Sequence, residues 1–212
     1  MWVKICGITR LEDAVSAARF GADAVGFVFT ESPRRVSPEE ARRISLEMPD
    51  GPARVGVFVD SPLEEVLELV EYCGLDLVQL HGDEGYEYCS ALGGKAIKAL
   101  RVNGTLDIAR ATRYSQEGAC HALLLDGFDP SRHGGTGRTF NWKMVHLIEG
   151  NPRLIIAGGL DPGNVTEAVK TARPFGVDAS SGVERSRGVK DPVLVYKFIE
   201  KARKTDYEVS DQ

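Results

Sequence analysis

Ala53-Arg54-Val55-Gly56-Val57-Phe58-Val59-Asp60-Ser61-Pro62-Leu63-Glu64-Glu65-Val66-Leu67-Glu68-Leu69-Val70 contains one complete structural unit. Its first half is a short apolar run rich in Val and Phe, the pattern of a strand buried on both faces in a parallel sheet. The Ser61-Pro62 step then predicts a helix start. A serine oxygen caps the first free N–H groups, and proline takes the first helical position, where its missing donor costs nothing. Ser61 with Glu64 also fits a capping box. Beyond it, Leu63, Val66, Leu67 and Val70 recur at helical spacing, while Glu64, Glu65, Glu68 and Glu71 mark the solvent side.

The same unit repeats along the chain. Short apolar runs begin near Trp2, Asp23, Ala53, Asp76, Lys95, His121, Arg153 and Gly176. Ser37-Pro38, Asp161-Pro162 and Asp191-Pro192 repeat the cap-then-proline signal, and Ser37 with Glu40 gives a second capping box. The last helical pattern turns Val195, Phe198, Ile199 and Ala202 to one side. Eight strand-then-helix units in 212 residues make a single-domain α/β fold, the closed (β/α)8 barrel, the expected architecture. An open doubly wound sheet has the same periodicities and is the alternative. The barrel is expected over residues 1–204, with 205–212 a polar C-terminal tail that frays.

A formal charge of −5 disfavours nucleic acid or an anionic membrane as the main partner, since both attract basic surfaces. A small anionic ligand needs only a local positive site and stays open. No apolar run is long enough to span a bilayer. The opening Met1–Cys6 segment is too short for a secretory signal and is interrupted by Lys4. The four cysteines form no Cys-x-x-Cys pair and no zinc spacing with histidine, so free thiols and the cytoplasm are expected, with no metal and no cofactor. Cys73, Cys89 and Cys120 read as structural. The chain can be a monomer or a homodimer, as no interface is legible.

In such a barrel, chemistry collects where the strands end. Cys6 ends the first run, Arg34 and Arg35 follow the second, and Gln79 and His81 close the fourth. Asp126 ends the sixth, Gly158-Gly159 the seventh, and Asp178-Ala179-Ser180-Ser181-Gly182 the eighth. The last two turns carry the strongest local signal. Glycines admit an anion close to backbone N–H groups, and a short extra helix after the eighth run adds unpaired donors. Gly158, Gly159, Ser180, Ser181 and Gly182 are therefore the phosphate candidates. No such glycine pair follows Val57-Phe58-Val59, which argues for one phosphate rather than two. Gly134-Gly135-Thr136-Gly137 suits a lid or a second anion contact.

A cysteine beside Gly7 at a strand end is either an inert buried thiol or a base. Lys4, two residues earlier on the same face, either assists the thiol or forms an ion pair inside the barrel. Asp126 follows Ala122-Leu123-Leu124-Leu125, so an acid meets a very apolar environment that favours its proton-carrying form. It is either a general acid or a loop cap. One of the two arginines matches a carboxylate or phosphate.

Taken in order, Lys4-Ile5-Cys6-Gly7-Ile8-Thr9, Ser32-Pro33-Arg34, Gln79-Leu80-His81-Gly82, Leu124-Leu125-Asp126, Gly134-Gly135-Thr136-Gly137, Ala157-Gly158-Gly159-Leu160 and Val177-Asp178-Ala179-Ser180-Ser181-Gly182-Val183-Glu184 resemble the successive motifs of the phosphoribosylanthranilate isomerases of tryptophan biosynthesis. The resemblance runs from residue 3 to about 192. It implies an Amadori rearrangement of a small phosphorylated aminosugar without metal or cofactor. Asp126 would be the general acid and Cys6 the general base. Arg34 would hold the anthranilate carboxylate, and His81 and Asp178 would lie near the substrate. Where the family carries an acid between Phe and Trp, this chain has Phe140-Asn141-Trp142. The rivals are a different phosphosugar isomerase, expected to use paired aspartates and two phosphate grips, and a non-catalytic barrel that binds a phosphorylated ligand.

Overall fold

The computed structural model of the chain describes residues 1–103, 105–116, 120–127, 140–150 and 152–210. Eight parallel strands, β1 (Trp2–Cys6), β2 (Ala24–Val28), β3 (Ala53–Phe58), β4 (Leu77–Leu80), β5 (Ala96–Val102), β6 (Ala122–Gly127), β7 (Leu154–Ala157) and β8 (Gly176–Ala179), pair in chain order. The last returns to the first, with Lys4 opposite Asp178. That closure excludes the open sheet. Every strand begins within one residue of the position expected from its apolar run.

Helices α1 (Leu11–Arg19), α2 (Pro38–Glu47), α3 (Leu63–Cys73), α4 (Tyr86–Ala91), α5 (Ile108–Gln116), α6 (Val165–Ala172) and α7 (Pro192–Ser210) surround the barrel. After β6 the described element is a 3₁₀ helix, Trp142–Leu147, started by the Asn141 side chain, which accepts from the Lys143 N–H. Asparagine thus performs a cap where an acid was expected. Period-two alternation divides the core. Val3, Ile5, Val25, Phe27, Leu123 and Leu125 pack outward under the helices. Ala24, Val55, Ile97, Ala99, Leu124 and Ile155 fill the barrel.

The cap signals hold unevenly. Ser37 accepts from the Glu40 N–H, and Asp191 accepts from Val193 and Leu194 at the start of α7, as expected. Ser61 does not cap α3: the helix begins one residue later, with Pro62 at the cap position and no side-chain cap bond. Tertiary bonds decide this turn. Glu84 accepts from the Asp60 N–H at 2.8 Å, Tyr88 Oη donates to the Ser61 carbonyl at 2.9 Å, and Asp60 sits at φ +51°. Asp161 likewise caps a turn, accepting from Gly163 and Asn164, and Asn164 occupies the cap position of α6. Leu67, expected on the buried face of α3, is exposed, because Leu69 and Cys73 turn toward the barrel instead. Within the segment expected as a tail, α7 continues to Ser210 and Thr205 is buried. Gly134-Gly135-Thr136-Gly137 lies outside the described residues.

Candidate active site

Cys6 ends β1 and faces the barrel mouth among Val28 and Val57. Gly26 stands beside it on β2. A Cβ there would come within 2.7 Å of Cys6 Sγ and 3.2 Å of Lys4 Cε, so the glycine creates the space both side chains occupy. Lys4 is fully buried, with Nζ 3.0 Å from Asp178 Oδ2. Of its two sequence readings the ion pair inside the barrel is the one the geometry shows, and its charge also acts on the neighbouring Cys6 thiol. Burial works to lower the lysine's pKa, but the Asp178 carboxylate and the thiol outweigh it, so Lys4 is held above the ordinary lysine value and stays charged. Burial pushes the Cys6 thiol up. Lys4 and Lys190 oppose that rise, and Asp178 adds to it.

Gly7 follows at φ +73°, and a Cβ on it would lie 2.5 Å from Arg34 Cδ. Its missing side chain lets the Arg34 stem cross directly over the end of β1. Arg34 then donates from Nε and Nη2 to both oxygens of Glu184, at 2.7 and 2.8 Å. Lys190 Nζ donates to the same carboxylate at 2.9 Å and to the Ser180 carbonyl at 3.1 Å. Although burial alone would raise it, the Glu184 carboxyl is held below the usual range by Arg34 and Lys190. Arg35 is exposed, so Arg34 is the arginine at the mouth. Sequence reasoning did not single out Glu184 or Lys190. Glu184 closes a quoted motif, whereas Lys190 is a lone lysine between Val189 and Asp191 and carries no local signal.

On the other side, His81 Nε2 is 3.1 Å from Asp126 Oδ2, and His81 Nδ1 is 3.2 Å from the Gln79 amide nitrogen. With the amide donating, Nδ1 accepts, which leaves the ring proton on Nε2, the nitrogen nearer Asp126. The Asp126 side chain retains 25% exposure, a wetter setting than the apolar strand before it predicts. Gly158 turns away at φ +84°, and a Cβ on it would meet Asp126 Oδ1 at 2.6 Å.

Gly159 also takes a positive φ, and its carbonyl accepts from Asn164 Nδ2 at 2.8 Å. Ser180 precedes the 3₁₀ turn Ser181–Val183, where the short extra helix was expected. Gly182 packs so closely on the Leu160 carbonyl that no side chain fits, which brings the turns after β7 and β8 together. Asp178 lies beneath them on Lys4, and its Oδ1 is buried with no hydrogen-bond partner among the described residues. Among those residues no group of three or more His, Cys, Asp or Glu is placed to hold a metal ion, and no helix is long and apolar enough to cross a membrane.

Residues 3–201 match the family model described as N-(5'phosphoribosyl)anthranilate (PRA) isomerase. The N-(5'-phosphoribosyl)anthranilate isomerase of Geobacter sp. (strain M21) is 48% identical over 203 residues, covering 95% of this chain and 98% of its own. The crystal structure of phosphoribosyl anthranilate isomerase from Thermotoga maritima superposes with a TM-score of 0.88 at 45% identity, over 96% of this chain and 99% of that one. A second solved isomerase, in complex with reduced 1-(o-carboxyphenylamino)-1-deoxyribulose 5-phosphate, aligns with a TM-score of 0.82 at 42% identity over 96% and 99%. With a closed barrel, ordered motifs and near-complete coverage in agreement, the chain belongs to the N-(5'-phosphoribosyl)anthranilate isomerase family.

Proposed function

We propose that this barrel catalyses the Amadori rearrangement of N-(5'-phosphoribosyl)anthranilate to 1-(2-carboxyphenylamino)-1-deoxyribulose 5-phosphate, with Asp126 as general acid and Cys6 as general base. One observation carries this reading. A thiol buried among cations and a carboxylate 3.1 Å from His81 Nε2 stand on different strands of the same barrel mouth. The related isomerase holding a carboxyphenylamino-deoxyribulose phosphate supports the substrate class.

The substrate carries nitrogen on its anomeric carbon. A proton from Asp126 to the ring oxygen breaks the C1–O bond, and the nitrogen lone pair forms the C1=N iminium. The adjacent C2–H becomes acidic, and the Cys6 thiolate removes that proton to leave an enolamine. Protonation at C1 and loss of the C2 hydroxyl proton give the ketone, with no net redox change. General acid and base steps each contribute about 10²- to 10⁴-fold; positioning by the remote phosphate contributes the rest. The turns at Gly158-Gly159 and Ser180-Ser181-Gly182 are assigned to the phosphate. Arg34 is assigned to the anthranilate carboxylate, and the free oxygen of Asp178 to a sugar hydroxyl.

The test is consumption of freshly prepared phosphoribosylanthranilate, followed by loss of its fluorescence. Wild-type protein should turn it over, while Cys6→Ala and Asp126→Ala should each lose orders of magnitude in kcat and still bind a phosphorylated product analogue. A variant with near-wild-type kcat removes its residue from the mechanism. No turnover by the wild type, with the analogue still bound, favours the non-catalytic barrel.

A further inference from the structure

Arg34 meets an internal carboxylate through the same fork that would suit a ligand carboxylate. Glu184 takes Nε and Nη2 at 2.7 and 2.8 Å, the bidentate geometry in which guanidinium binds most specifically. Either Glu184 occupies the ligand's place and must swing away, or it fixes Arg34 so that a different edge faces the ligand. The surroundings of Glu184 decide between these.

Its side chain is only 6% exposed, and its Oε1 also accepts from Lys190 at 2.9 Å. Lys190 is 1% exposed and is tied at both ends. Its Nζ donates to the Ser180 carbonyl, and its backbone N–H donates to Asp13 Oδ2 at 3.1 Å. Moving Glu184 away would leave a buried ammonium without its carboxylate, a strongly unfavourable change. Glu184 therefore stays, and the guanidinium keeps its Nη1 donors and the second Nη2 proton for another acceptor. Two cations share one anion here, so the cluster is one carboxylate short of neutrality.

We infer that Glu184, braced by Lys190, is the positioning residue that sets Arg34 to recognise the carboxylate of the substrate's aromatic ring, and thereby determines specificity for a 2-carboxyanilino over a plain anilino sugar phosphate. The inference rests on the proposed isomerase activity. Gly7 serves the same arrangement from below, because only a residue without Cβ lets the Arg34 stem lie against the end of β1.

The experiment compares kcat/KM for phosphoribosylanthranilate with that for the same sugar phosphate carrying aniline. It uses the wild type, Glu184→Gln, Arg34→Lys and the double variant. Arg34→Lys keeps the charge but has no second edge. Each single variant should lower the preference for the carboxylated substrate at least tenfold, mainly through KM. The double variant should fall no further than the worse single one, as expected for residues acting as a unit. If Glu184→Gln fails to fold, Glu184→Asp, which keeps the charge at shorter reach, should show the same loss of preference. An unchanged preference, a stronger one, or additive losses would overturn the assignment; a stronger one would mean that Glu184 competes with the ligand. Absence of wild-type turnover on phosphoribosylanthranilate would instead overturn the reaction itself, so the two failures are distinguishable.

Discussion

The two sides of the barrel mouth are built on opposite physical plans. Around Cys6, at the ends of β1, β2 and β8, the groups are buried and charged. Lys4 pairs with Asp178, while Arg34 and Lys190 share Glu184. Around Asp126, at the ends of β4 and β6, the chain of contacts is Gln79, His81, Asp126, and it is partly open to water. A thiol is a weak base until it ionises, and burial makes that harder, so neighbouring cations are needed. An acid that donates a proton every cycle benefits from access to solvent for its return. On the proposed assignment, the dry side prepares the base and the wet side resupplies the acid.

The largest expected effect treats the two sides alike. Cys6→Ser and Asp126→Asn preserve shape and remove the assigned proton chemistry, so each should reduce kcat by about 10²- to 10⁴-fold with a smaller change in KM. Steady-state kinetics under identical conditions measures this. Should one side tolerate its substitution, the division into base and acid sides fails at that residue.

How much of this was readable differs between the same two sides. The barrel itself was legible, because buried parallel strands are short apolar runs and each of the eight begins where expected. The rim positions of Cys6, Asp126 and Asp178 were legible because each lies at the end of a strand, with His81 directly after β4, whereas Arg34 lies in the loop after β2 and was placed by motif register alone. The partners that define their state were not. Glu184 and Lys190 belong to a short hairpin, Glu184–Ser186 with Val189–Lys190, whose position over β1 depends on tertiary folding. Gln79 was visible as a polar residue, but its bond to a particular ring nitrogen was not. Ser61 fails for a related reason: its local capping signal is sound, yet Glu84 and Tyr88, distant in sequence, hold that turn differently.

Next in size is Lys4→Met, which attacks the dry side alone. Removing one member of a buried pair leaves Asp178 charged and uncompensated, at a cost of about 3–5 kcal/mol, readable as a lower denaturant midpoint. Exchanging both members for apolar residues of similar volume should recover much of that stability while leaving the enzyme impaired. A single variant with undiminished stability would show that Asp178 finds another partner or accepts a proton.

The pH dependence of Cys6 sharpens the same contrast. Its folded pKa lies above that of a free thiol because burial outweighs the nearby cations. The reactive thiolate is therefore the minor form at neutral pH, and its fraction should rise about tenfold per pH unit. Alkylation by iodoacetamide should follow that slope without levelling near the ordinary thiol value of about 8.5. A plateau below that value would mean that Lys4 and Lys190 dominate and that the pocket is effectively cationic. Because the raised pKa favours the neutral thiol in the fold, this residue's contribution to stability is present at neutral pH and declines as pH rises through the folded value.

The smallest effect belongs to the wet side. His81→Asn removes the ring that lies against Asp126, but Asp126 keeps access to water, which can take the ring's place. A loss of about tenfold in kcat corresponds to about 1.4 kcal/mol, within the net range for one hydrogen bond. Stability should change little, since neither His81 nor Asp126 is fully buried. If His81→Asn instead matched the loss of Asp126→Asn, histidine would be the obligatory carrier of the proton, and solvent access would not be what keeps the acid supplied.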